Sequence, residues 1–325
     1  MYEEFFGLSG KPFQLNPDPG FYFGSKQHKR ANAYLEYGLL RSEGFIVITG
    51  EVGAGKTTIV RGLLEAMDAN VLTAATLVST QLDAEDTLRM VAAAFGVGVK
   101  GLSKAELLMA IEAFLVTQLS EGRRSLLVVD EAQNLTPRAV EELRMLSNFQ
   151  FGNQALLQTF LVGQPEFRDI LQHPRMLQLR QRITASCHIG PLDLEETSGY
   201  IAHRLACAGG SGRPHFATEA LAAIFKSSGG IPRRINALCD RLLLLAYLSE
   251  RDAIEAQDVT EVVDDMAREA GVPANGLLPG PPPAAGAAAD GDPIRRLESG
   301  MMRIERANLQ ILGSLQKLLM STARV

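Results

Sequence analysis

Nine residues constrain this chain more than any others: Gly50-Glu51-Val52-Gly53-Ala54-Gly55-Lys56-Thr57-Thr58. They follow the apolar run Phe45-Ile46-Val47-Ile48-Thr49. They precede apolar residues at helical spacing, Ile59, Leu63, Leu64 and Met67. A strand, a glycine-rich turn and a helix in that order form the setting that a phosphate-binding loop requires. Phosphate oxygens need many donors converging at short range. Gly50, Gly53 and Gly55 let the backbone turn its N–H groups inward with no Cβ in the way. The following helix faces the phosphates with its positive end. Lys56 supplies a point charge for the β- and γ-phosphates, and the Thr57 hydroxyl suits Mg²⁺. Glu51, Val52, Ala54 and Thr58 complete the predicted nucleotide-binding stretch. A chance glycine turn is the competing reading, and the flanking strand and helix argue against it.

A second signal lies at Ser125-Leu126-Leu127-Val128-Val129-Asp130-Glu131. Four consecutive apolar residues predict a strand buried on both faces, as in a parallel sheet. Ligands of open parallel sheets sit beyond the carboxyl ends of the strands. Asp130 is therefore expected to face the metal, and Glu131 to polarise an attacking water as general base. A solvated carboxylate pair is the plainer alternative. Gln164, after the next predicted strand, is placed to sense the γ-phosphate or to orient water. Arg175, Arg180 and Arg182 gather further on. Arg182 or Arg180 is favoured to reach a neighbouring subunit's triphosphate, against an equal case for structural ion pairing. Arg233, in Gly230-Ile231-Pro232-Arg233-Arg234, opens a later helix and is expected to reach back to the γ-phosphate.

The remaining pattern alternates. Strands are expected at 70–78, 125–131, 156–162 and 185–189, besides the one before the loop. Helices are expected at 25–41, 83–95, 104–121 and 137–149, and in a stretch ending near Arg182. The first of these reads as apolar at Ala33, Tyr37, Leu39 and Leu40. Five strands with intervening helices make a three-layer α/β sandwich with a five-stranded parallel sheet. Residues 1–25, rich in aromatics, proline and glycine, are expected to be extended and pinned by their aromatics. Plain packing and a wall of a base-and-ribose pocket are equal readings of that collar. Beyond Leu194 no strand pattern appears. Helices near 195–208, 217–228, 233–249 and 256–270, punctuated by Gly209-Gly210-Ser211-Gly212 and Gly229-Gly230, predict a small all-helical lid. The expected divisions are 1–193 for the collar and α/β domain, 194–270 for the lid, 271–293 for a linker and 294–322 for a coiled-coil helix.

Composition matters mostly at the ends. Residues 271–293 hold six of the 15 prolines, among alanine and glycine, and read as an extended linker. In the tail, Ile294, Leu297, Met301, Ile304, Asn308, Ile311, Leu315 and Leu318 alternate spacings of three and four, a seam of period 3.5 that predicts supercoiling against another helix. Docking on its own protein or lying on an anionic membrane are the alternatives. The chain carries a net charge of −5. Six basic and two acidic side chains give the tail +4, which leaves −9 for residues 1–293. A non-specific nucleic-acid binder is usually basic, so DNA is not the expected partner. Cys187, Cys207 and Cys239 fit no metal spacing and are expected to be buried free thiols, which suits a reducing cytosol. No apolar run is long enough for a membrane span, and the start MYEEFFGLSGKPF does not read as a secretory signal.

In order, these parts resemble the AAA+ ATPases over roughly residues 25–270. More narrowly they resemble the ExeA/GspA-type secretion ATPases. The stretches that carry the resemblance are PFQLNPDPGFYFGS, GFIVITGEVGAGKTT, LLVVDEAQNL, LVGQPEF, LRQRI, GPLDLEET, YIAHRL and GIPRRINALCDRLLL. The subgroup of greatest similarity accompanies exopolysaccharide loci with exosortase/PEP-CTERM sorting. The resemblance implies ATP/ADP, Mg²⁺ and a homo-oligomer, with a hexameric ring as one form. It implies Walker roles for Lys56, Thr57, Asp130 and Glu131, a first-sensor role for Gln164, an arginine-finger role for Arg182 and a second-sensor role for Arg233. Relatives of this type continue into a membrane span and a peptidoglycan-binding domain, where this chain shows a linker and the period-3.5 seam. The expectation is therefore a cytoplasmic ATPase at the inner face of the inner membrane, recruited by its tail to an export or polysaccharide apparatus. The runner-up is a DNA-binding ATPase resembling transposition targeting proteins. A scaffold whose assembly nucleotide only gates is a third reading.

Overall fold

A computed structural model of the chain describes residues 1–269 apart from 17, 42, 79–82 and 211. The predicted linker and coiled-coil seam lie outside the described residues. The elements run α1 (Tyr2–Phe5), α2 (Lys26–Arg41), β1 (Phe45–Gly50), α3 (Lys56–Ala66), β2 (Leu72–Val78), α4 (Ala84–Ala94), α5 (Lys104–Ser120) and β3 (Arg124–Asp130). There follow α6 (Pro137–Leu146), β4 (Gln150–Phe151), β5 (Gln154–Ala155), β6 (Leu157–Gly163), α7 (Glu166–Gln172), α8 (Leu177–Arg180) and β7 (Ile183–Ile189). The rest is α9 (Leu194–Cys207), β8 (His215–Phe216), α10 (Thr218–Ser228), α11 (Pro232–Leu248), β9 (Ala253–Ile254) and α12 (Ala256–Glu269).

β2, β3, β6, β1 and β7 lie side by side in that order, all parallel. Successive strand residues point to opposite faces, and both faces are dry. Ile46, Ile48, Leu126, Val128, Phe160 and Val162 pack under α2 and α3. Phe45, Val47, Leu127, Val129 and Leu161 pack under α4, α5 and α6. The sandwich therefore has three layers. Helix starts follow their caps. Asp83 accepts from the Ala84 N–H, Ser103 and Glu106 form a capping box, and Thr136 caps α6 with Pro137 in its first turn.

Four expectations need correction. The inward stripe of α2 is Ala31, Leu35 and Leu39, whereas Tyr37 and Leu40 are exposed. Spacing alone allowed either face. Gly38 settles it, because a Cβ there would lie 1.7 Å from Ile46 Cδ1, so that side of the helix sits directly on the sheet. Each buried leucine of the stripe contributes about 2 kcal/mol. The amino-terminal segment is not simply extended. Tyr2–Phe5 form a helical turn, and Tyr2, Phe6, Leu8 and Phe13 enter the apolar core of the helices beyond residue 194. That bundle is not wholly helical either, since β8 and β9 pair in parallel over two residues. Of the three thiols, Cys239 is buried, Cys187 half-buried and Cys207 exposed.

The bundle meets the sandwich at Gly230. Its φ is +71°, and a Cβ would stand 2.1 Å from the Leu192 carbonyl oxygen, which backbone cannot avoid. The Leu192 N–H in turn donates to the Gly230 carbonyl at 2.9 Å. Gly230→Ala is expected to destabilise the protein by about 1–3 kcal/mol through the strained conformation alone. The check is the midpoint of urea unfolding, and an unchanged midpoint would refute the strain.

Candidate functional site

The loop leaves β1 between its neighbours β6 and β7, at the carboxyl edge of the sheet. Gly50 must be glycine because β7 closes on it, with a Cβ 2.4 Å from the Ile189 carbonyl oxygen. Gly53 and Gly55 take φ of +83° and +94°. Gly55 is the residue before α3 and offers no capping side chain, so the first-turn N–H groups stay available to an anion.

Lys56 begins α3 and is 8% exposed. Its Nζ donates to the carbonyls of Gly50 at 2.7 Å and Glu51 at 2.9 Å. Burial pulls the ammonium below the usual lysine range, while Glu131, Asp130, Glu51 and Glu166 oppose that pull. The Thr57 hydroxyl donates to Asp130 Oδ2 at 3.0 Å, and the Glu131 N–H donates to Asp130 Oδ1 at 2.9 Å. A hydroxyl and a carboxylate side by side are the hard oxygen donors that Mg²⁺ takes, so the residues present fit that ion. Glu131 itself sits at φ 54°, ψ 42°, in the left-handed region that costs a side-chain-bearing residue of order 1–3 kcal/mol.

Its carboxylate is held by two amides. Gln133 Nε2 donates to Glu131 Oε2 at 2.5 Å and Gln164 Nε2 to the same oxygen at 3.1 Å. Gln133 Oε1 also accepts from the Gln164 N–H at 3.0 Å. The structure thus joins Gln164 to Glu131 and adds Gln133, which the sequence reading missed. Its signal was the position two residues after Glu131.

A cavity of about 380 Å³ opens over the loop. Val52, Gly53, Gly55, Lys56, Thr57, Thr58 and Glu131 form its phosphate end. Leu15, Asn16, Phe21 and Tyr22 of the collar, with Tyr200 and Asn236 of the bundle, wall the other end. The collar does both, since Leu15, Asn16, Phe21 and Tyr22 line the cavity while Tyr2, Phe6, Leu8 and Phe13 pack in the bundle core. Arg204 holds it in place. Buried at 5% exposure, its Nε donates to the Pro12 carbonyl at 2.6 Å and its Nη2 to that of Gln14 at 3.1 Å, and its guanidinium lies over the Phe21 ring. Asn236 Nδ2 donates to the same Gln14 carbonyl, and its Oδ1 accepts from the Tyr200 hydroxyl.

Arg233 also lines the cavity. Its N–H donates to the Gly53 carbonyl at 3.2 Å, and a Cβ on Gly53 would meet Arg233 Cβ at 2.3 Å. Glycine is therefore needed where the bundle touches the loop. Arg175, Arg180 and Arg182 do not line the cavity. Arg182 is half-buried and donates through Nη1 to the hydroxyl of Ser147 at 3.2 Å, while Arg180 is exposed at the end of α8. Among the described residues no helix is long and apolar enough to cross a membrane.

Comparison with known proteins gives three findings. Residues 40–171 match an AAA domain. General secretion pathway protein A of Aeromonas hydrophila is 38% identical over 281 residues, which are 86% of this chain and 51% of that protein. The chain thus spans about half the length of that relative. Among solved structures, the Aeropyrum pernix ORC2 protein in ADPNP–ADP complexes superposes with a TM-score of 0.59 at 16% identity, covering 78% of this chain and 71% of that one. Cdc6p from Pyrobaculum aerophilum gives 0.57 at 18% identity, over 81% and 70%. The Aeropyrum pernix ORC1 protein in complex with DNA gives 0.59 at 18%, over 80% and 70%. At these identities the likeness is one of fold.

Proposed function

The chain belongs to the AAA+ ATPases of the General secretion pathway protein A type, and from that premise we propose that it is a Mg²⁺-dependent ATP hydrolase whose turnover drives or regulates assembly of an envelope secretion or exopolysaccharide export apparatus. The observation that carries the reading is the convergence of Lys56, Thr57 and Glu131 on one cavity, with Asp130 hydrogen-bonded to Thr57.

The phosphate loop binds the triphosphate through its N–H groups and Lys56 neutralises the outer phosphates. Thr57 and Asp130 would hold Mg²⁺, which would supply positive charge to offset that of the phosphates. Glu131 takes the proton of the attacking water. Both amide bonds fall on its Oε2, so Oε1 can accept that proton. Gln164, which donates to this carboxylate, is assigned to sense the γ-phosphate. Arg233 carries the state of the nucleotide to the bundle. Arg180 is the better placed of the two arginines to enter a neighbouring copy's site, because it is exposed, with Nη1 donating at 3.4 Å to the Gln172 carbonyl, whereas Arg182 is half-buried against Ser147. Attachment to the export machinery at the cytoplasmic face is assigned to the carboxyl-terminal seam, which lies outside the described residues.

Phosphate release from ATP tests the chemistry. Turnover is expected with Mg²⁺ and is expected to fall at least about 100-fold in excess EDTA, since the metal supplies charge that no side chain at the loop replaces. Turnover that a chelator leaves unchanged would remove the metal from the reading.

A further inference from the structure

We propose that His28 is a positioning residue for nucleotide binding, which holds the phosphate loop at its Ala54 carbonyl and ties it to the strap of chain that crosses from the helical bundle. The inference rests on the nucleotide reading of the cavity. His28 lies in the first turn of α2 and is 5% exposed. Its Nε2 is 3.1 Å from the Ala54 carbonyl oxygen. A carbonyl only accepts, so Nε2 carries the proton. Nδ1 is then free to accept, and the Ser25 hydroxyl, 2.6 Å away, donates to it. Both ring nitrogens are thereby committed and the tautomer is set. Burial keeps the imidazole below the usual histidine range, consistent with a neutral ring.

Lys56 holds the Gly50 and Glu51 carbonyls and the Arg233 N–H that of Gly53, while at Ala54 the imidazole is the partner. Ala54 is fully buried, and its own N–H closes the turn onto the Glu51 carbonyl at 3.1 Å. The Ala54 carbonyl accepts from the imidazole, and the adjoining Gly55 leaves room for the ring, since a Cβ there would lie 2.9 Å from Nε2. The ring, which itself lines the cavity, therefore fixes where the turn stands at the cavity wall. Its residue is also moored on both sides. The Lys26 N–H donates to Glu196 Oε1 of α9 at 2.9 Å, and Gln27 Oε1 accepts from the Gly190 N–H just past β7. Upstream, Arg204 and Asn236 grip the carbonyls of Pro12 and Gln14. A shift of α9 reaches the phosphate loop through this one imidazole as well as through Arg233.

The test compares the parent chain with His28→Phe and His28→Gln. Phenylalanine keeps a buried ring and loses the donor. Glutamine places an amide N–H where Nε2 stands. Affinity for a fluorescent ATP analogue, KM and kcat for ATP, and the thermal midpoint are measured for each. His28→Phe is expected to weaken binding and raise KM about fivefold to tenfold, the worth of one buried hydrogen bond, with kcat changed less than about twofold. His28→Gln is expected to return both to within about threefold of the parent. A phenylalanine variant that binds like the parent, or a glutamine variant as weak as the phenylalanine one, overturns the inference alone. A parent chain that binds no nucleotide overturns the functional reading and this inference with it.

Discussion

Lys56→Ala is expected to weaken ATP binding by at least about 100-fold, because it removes a buried cation that no neighbour can replace. Glu131, Asp130, Glu51 and Glu166 all act on the ammonium. Without it the phosphate end of the cavity presents carboxylates to a polyanion. The carbonyls of Gly50 and Glu51 also lose their common donor. Arginine is not an adequate substitute, since a planar fork does not fit a site built for a compact point charge. Titration calorimetry with Mg²⁺-ATP reads the effect directly. Retained micromolar binding in Lys56→Ala would mean that Lys56 is not the residue that holds the phosphates.

Glu131→Gln separates binding from chemistry. The amide oxygen can still accept from Gln133 and Gln164, so the side chain keeps its place, but it cannot take a proton from water. Hydrolysis is expected to fall by about 10²- to 10⁴-fold, the usual worth of a positioned general base, with ATP affinity within about threefold of the parent. Single-turnover phosphate release checks the first and nucleotide titration the second. In cells whose only copy carries this substitution, export to the envelope is expected to stop. Normal hydrolysis in vitro would transfer the role of base to another group, and normal export in such cells would detach the ATPase from the envelope role.

The parts of this site that a reader could find in the sequence are those whose chemistry is contiguous. The phosphate loop is one unbroken stretch, and Asp130-Glu131 ends an apolar run whose burial on both faces is visible in its composition. The arrangement of five strands followed because each strand and helix is long enough to carry its own period. What escaped are pairings across large separations. His28 meets Ala54 across 26 residues, and Arg204 meets Pro12 across 192. A lone histidine among Lys26, Gln27, Lys29 and Arg30 reads as surface, yet its ring is buried. The start of β7 was set two residues late, because the register shifts where Phe45 pairs with Ile183 and Ile46 with Ala185, and such an irregularity leaves no pattern of alternation. The β4–β5 hairpin, with two residues per strand, is too short for any periodicity to show.

The contribution of Tyr2, Phe6, Leu8 and Phe13 to the bundle's core has a topological consequence. The α/β sandwich is an insertion, flanked in sequence on both sides by chain that belongs to the bundle. Two crossings, one ahead of Lys26 and one between β7 and α9, connect the bodies where a domain appended at its end would have a single tether. A body on one tether can swivel about any axis. A body suspended at two points turns freely only about the line that joins them. Two crossings therefore restrict how the bundle can turn on the sandwich, and the bond from the Arg233 N–H to the Gly53 carbonyl spans the same boundary at the phosphate loop.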